Sequence, residues 1–185
     1  MGLLETLSFE QLEVLLQLTE VRVKIKETIR GLPEQFPWPL QKGLEIDVPL
    51  WLAEELIAMG VAEYSEPYGL KELESLLSKE LVTTRLVKVP PSLHAWILKA
   101  KEEVSAGGAD PLAARRLFLT SRDLLKKRIS KALRYVVLST DSETVESRLL
   151  ERLTPLERVV YAQIRLIIDR WLQLFIGEKG EDGGL

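Results

Sequence analysis

The chain has 185 residues, 46% apolar and 29% charged, enough to bury a core and to build one domain with a smaller satellite. Zero cysteines exclude a disulfide framework, a thiol nucleophile and thiolate metal sites, and no apolar run or basic-then-apolar N-terminus predicts a membrane span or signal peptide, which points to the cytoplasm. The net charge of −3 is unevenly spread, with 9 Lys+Arg against 15 Asp+Glu up to Pro90 and 16 against 13 beyond it, so two regions of different surface character are expected.

Ser8-Phe9-Glu10-Gln11 has the order of a capping box, and Phe9, Leu12, Leu15 and Leu16 follow at helical spacing to about Thr19. Val21, Val23 and Ile25 alternate with Arg22, Lys24 and Lys26, the period of a half-buried strand. A loop around Phe36 and Trp38 is punctuated by Gly31, Pro33, Pro37, Pro39 and Gly43. Leu44, Ile46 and Val48 then alternate as a second strand, and Pro49 is expected at the first position of a helix that Gly60 ends. Val61 to Tyr64 supplies a third short strand. From Leu70 the period is helical: Leu73, Leu76, Leu77 and Leu81 mark one helix, and Pro90-Pro91 ends an extended link. Ser92 begins a helix with Leu93, Trp96, Ile97 and Ala100 on one stripe. Asp110-Pro111 caps a helix with no breaker until about Ser139, some 28 residues or about 42 Å at 1.5 Å per residue. Thr140-Asp141-Ser142-Glu143 and Thr154-Pro155-Leu156-Glu157 are two further helix starts, the second running to Gly177. The fold class is therefore mainly α with a small N-terminal β-containing module, the helical part being built on the long central helix.

The segment Val48-Pro49-Leu50-Trp51-Leu52-Ala53 resembles the GINS family, the four-subunit accessory complex of the replicative helicase, in its members of the second and third Psf type. Leu86-Val87-Lys88-Val89-Pro90-Pro91-Ser92-Leu93-His94 is similar to that family's extended approach to a helix, and Arg128-Ile129-Ser130-Lys131-Ala132-Leu133-Arg134 to its Arg-Ile-X-Lys-Leu segment. The resemblance covers roughly Val21 to Val137. It implies a β-rich B-domain (20–69) before a helical A-domain (70–178), with an extra N-terminal helix (1–19) that has no counterpart in the family and a flexible tail (179–185). It further implies an archaeal, non-catalytic, cofactor-free subunit, nucleoid-associated during replication. Such a subunit joins a paralogous one in a tetramer and serves the MCM helicase together with a RecJ-like partner.

The residues are read independently of that likeness. No Gly-rich phosphate loop, Gly-x-Ser-x-Gly or His-Glu-x-x-His is present, and His94, the one histidine, is expected to pack or cap rather than act as a base, so no enzyme is expected. Glu54-Glu55 and Glu102-Glu103 point about 100° apart on a helix and are read as solvated faces. On the long helix Arg116, Lys127, Lys131 and Arg134 share an arc of about 60°. Such a ridge contacts phosphates in a stand-alone DNA-binding protein, the alternative function. The preferred reading is charge that meets acidic helices, because no aromatic residue interleaves the arc to stack bases. Trp51 and Trp96 are expected in the chain's own core. Trp171 and Phe175 close a final helix that also has Ile167, Ile168 and Leu174 and is therefore apolar on more than one side; Ile168, Trp171 and Phe175 are the leading subunit-interface candidates, with Leu93, Trp96 and Ile97 as weaker ones.

Overall fold

In the computed structural model, which describes residues 8–29, 40–65, 69–105, 110–138 and 143–176, the chain is mostly helical with one small antiparallel sheet. The Ser8 hydroxyl accepts from the Gln11 N–H and the Gln11 side chain accepts from the Ser8 N–H, a complete capping box that opens α1 (Phe9–Gln17). The alternation at Val21, Val23 and Ile25 becomes β1 (Glu20–Ile25), with those three side chains buried and the intervening charges outside. It is the middle strand of a sheet ordered β2-β1-β3, flanked by β2 (Glu45–Pro49) and β3 (Ala62–Tyr64). The register sets Val21 opposite Val48 and Val23 opposite Ile46, which keeps the apolar set on one face. On the other face Arg22 grips Asp47 with two bonds of 2.9 Å.

Two details of the strand-to-helix segment differ from expectation. Pro49 does not open the helix: it is the last residue of β2, paired with Glu20, and its extended backbone (φ −56°, ψ 146°) makes it the cap of α2 (Leu50–Ala58). The end of an edge strand tolerates a residue with no N–H, and the Leu50 N–H one place later donates to Thr19 O at 2.9 Å. Trp51 is 43% exposed and lies outside the core. The buried arc of α2 runs through Leu50, Ala53, Leu56 and Leu52, and Trp51 falls about 100° beyond Leu50 on the opposite side.

The helical part is arranged around α5 (Pro111–Leu138), whose start is capped by the Asp110 carboxylate accepting from Leu112 N–H at 3.2 Å. Along it lies α3 (Leu70–Val82), and Leu73 joins Leu117 and Leu124 in a core completed by Leu93 and Ala100 of α4 (Leu93–Glu103). A separate cluster of Leu86, Ala132, Leu149, Leu153 and Tyr161 joins the extended link and α5 to α6 (Glu143–Leu150) and α7 (Pro155–Ile176). The Thr154–Glu157 box forms, the Thr154 hydroxyl accepting from Glu157 N–H and the Glu157 carboxylate from Thr154 N–H.

Sheet and helices are tied through α4. Ala95 is buried among the sheet's core residues, and the Lys99 ammonium reaches Glu54 of α2 at 2.5 Å and Glu102 at 2.9 Å. Glu54 and Glu102, expected as solvated faces, thus converge on one cation. The loop around Phe36 and Trp38, the turn at Glu66 to Tyr68, residues 106–109, the start at Thr140 to Ser142 and the tail from Gly177 lie outside the described residues.

Leu50→Ala should cost the fold about 2 to 5 kcal/mol, the usual result of emptying a filled core site, and Trp51→Ala less than half as much. Urea denaturation of the two variants checks the order, and equal losses would contradict the placement of Trp51.

Candidate functional site

Glu80 falls about 20° from Leu73 on α3, a core position, and on α5 Arg128 and Lys131 continue the stripe of Leu117 and Leu124. Buried charges at such positions must find partners, and these three find one another. The Arg128 guanidinium is fully buried and every N–H is used. Nε and Nη2 donate to the two Glu157 oxygens at 2.7 and 2.8 Å, Nη1 to Glu80 at 3.2 Å and to Val87 O at 2.8 Å, and Nη2 to Arg152 O at 2.9 Å. Lys131 is buried beside it, donating to the Glu80 carboxylate at 2.6 Å and to the backbone oxygens of Glu80 and Arg85 at 2.5 and 3.0 Å. Glu80 also accepts from Val87 N–H at 3.1 Å. Two cations face two carboxylates, so the cluster is neutral while joining α3, the extended link, α5, the α6–α7 turn and α7.

Lys131 is therefore removed from the basic ridge. At the edge of the 60° arc nearest Leu117 and Leu124, it turns inward because Glu80 waits there. Arg116 remains at the surface but is paired with Glu74 of α3 at 2.6 Å. Arg134 is exposed and Lys127 half-buried.

With α7 fixed by Glu157, its apolar stripe is left open toward its end. Leu156, Val160, Ile164, Ile167, Trp171, Leu174 and Phe175 fall within about 100° of arc, and along the axis they span about 29 Å. The first two border an apolar groove of about 270 Å³ with Leu125, Ile129 and His94. Farther on the stripe is exposed: Trp171 is 59% exposed and Phe175 69%, their rings 5.4 Å apart and tilted at 55°. Ile167, Leu174 and Ile176 are exposed beside them, and Ile168 is half-buried. Leu93, by contrast, is fully buried in the chain's own core and is withdrawn as an interface position; Trp96 and Ile97 are half-buried, Ile97 against that core.

The His94 ring has its Nδ1 3.3 Å from the Thr154 hydroxyl, and among the described residues no group of three or more His, Asp or Glu could hold a metal ion. No described helix is long and apolar enough to cross a membrane. No known protein-family model matches the chain, and no curated protein does.

Burial raises the Glu157 carboxyl, but the Arg128 hydrogen bonds and charge, with Thr154 N–H and His94, outweigh it and hold the group below its ordinary 4.5. Burial depresses His94 below its ordinary 6.5, with Glu157 opposing and Arg128 adding. Below those values the unfolded chain binds more protons than the folded one, so stability is full above them and falls as pH drops through each. Urea midpoints against pH should decline first below about 6.5 and again below about 4.5, and His94→Gln should remove the first decline alone. Arg128→Met should cost about 3 to 5 kcal/mol by stranding Glu80 and Glu157, a loss that urea unfolding at neutral pH would reveal. A loss below about 1 kcal/mol would contradict the cluster's role.

Proposed function

We propose that the chain is a non-catalytic assembly subunit of a GINS-type replication complex, which joins a paralogous subunit through the open face of α7. The observation that carries this reading is the stripe from Ile167 to Phe175, apolar and exposed on a helix. A stable monomer rarely leaves such a contiguous surface in water, and its aromatic pair has the composition of an interface centre. The resemblance of Val48 to Ala53 and of Arg128 to Lys131 to GINS segments supplies the family, and it suggests a heterotetramer that supports the MCM helicase with a RecJ-like protein.

The alternative, DNA bound by the ridge on α5, is weakened by the placement of its cations. With Lys131 buried and Arg116 paired, Lys127 and Arg134 are what is left of the ridge.

Co-expression with a paralogous GINS subunit should yield a complex of constant size, while the isolated chain self-associates. Trp171→Glu with Phe175→Glu should abolish the complex, since each desolvated charge costs several kcal/mol, and Lys127→Glu should leave it intact. Size-exclusion chromatography with light scattering reads both results. A soluble monomer that ignores the partner, or a complex indifferent to the α7 substitutions, would overturn the proposal.

A further inference from the structure

The extended link and α6 enclose a cleft away from the α7 face. Arg85, Arg148 and Arg152 line a cavity of about 230 Å³ whose walls also include Leu86, Leu149 and the Tyr135 side chain. A wider depression of about 560 Å³ continues from it past Thr84 and Lys88, sharing Arg85 and Arg152. Some of the chain's cations, at Arg22, Lys26, Lys99, Arg116, Arg122 and Arg165, are matched by carboxylates. The three arginines of the cleft make no such pair among the described residues, although Glu151 also lines the cavity. Arg152 is held in place by its Nη1, which donates to Leu86 O at 2.7 Å, and its own carbonyl is pinned by Arg128. Its charge is positioned without being neutralised.

We propose that this cleft binds a nucleoside phosphate, free or as one unit of a single strand, independently of the subunit role assigned to α7. The guanidiniums of Arg85, Arg148 and Arg152 receive the phosphate, for which their planar forks are suited. Leu86, Leu149 and Tyr135 provide an apolar and aromatic wall of the kind on which a base stacks. Glu151 disfavours a bare anion but accepts hydrogen bonds from ribose hydroxyls or a base amine, which a nucleotide offers and an inorganic phosphate does not. The adjoining depression with Lys88 gives room for a neighbouring phosphate when the ligand is a strand.

The test uses the full chain, titrated with AMP and with a fluorescently labelled five-nucleotide oligo-adenylate at low salt. Binding of AMP, weakened about tenfold or more by each of Arg85→Glu and Arg148→Glu and unchanged by Arg115→Glu, supports a free-nucleotide site. Binding of the oligonucleotide alone with the same dependence assigns the ligand to a strand. The side chains of Arg85 and Arg148 make no hydrogen bond among the described residues, and circular dichroism confirms that each variant keeps its helicity. No binding of either probe at about 1 mM, binding indifferent to these substitutions, or equal competition by inorganic phosphate or a poly-glutamate peptide would each overturn the proposal.

Discussion

The Arg128 guanidinium is the point on which the helical half of the molecule depends. Five donors in one rigid fork reach three separate stretches of chain besides α3, so the link at Val87, the turn at Arg152 and the first turn of α7 cannot shift independently. A buried ion cluster is weak evidence of net stability, because desolvating its charges offsets much of their attraction. Its clearer consequence is geometric. The two oxygens of Glu157 both take Arg128 N–H groups, which ties the start of α7 to α5 at one register. The direction in which α7 presents Trp171 and Phe175, and the placement of Arg152 in the cleft beside Leu86, both follow from that fixation.

The strands, the helices and most of their starts were legible because they are local. Val21, Val23 and Ile25 declare a strand within six residues, and Ser8-Gln11, Asp110-Pro111 and Thr154-Glu157 declare helix starts within four. The ion cluster was not legible in that way, since the partners of Arg128 lie 29 and 48 residues from it. A run of cations on a helix looks alike whether the acids that meet it are water-exposed or buried. A signal was nonetheless present: Glu80 interrupts the apolar stripe of α3 where a leucine would fit, and Lys131 borders the stripe of Leu117 and Leu124. Two charges of opposite sign at core positions of neighbouring helices ask to be paired. Glu157, read only as half of a capping box, serves that box and Arg128 together.

Aromatic residues mark the other limit of a one-dimensional reading. Trp51, Trp96 and Trp171 all sit on amphipathic helices, yet the first is half outside, the second half-buried and the third open. What separates them is which neighbours arrive from elsewhere. The sheet covers Leu50 and Ala53 rather than Trp51, and toward the end of α7, which α1 also touches, Ile167, Trp171, Leu174 and Phe175 stay exposed. Meanwhile α4 links the two halves, its Ala95 buried with the sheet and its Leu93 with α5, so a residue proposed for a partner is spent inside the chain.

The central claim is that the open face of α7 is covered by a second, related chain. Purifying the protein from its own cells and weighing the intact assembly by native mass spectrometry addresses it directly, with amide exchange across 164–176 compared between the assembly and the isolated chain. The account predicts one mass of fixed stoichiometry that includes a paralogous subunit, and amides in that stretch slowed by assembly. A mass equal to a single copy, or exchange in α7 unchanged by the partner, would contradict it.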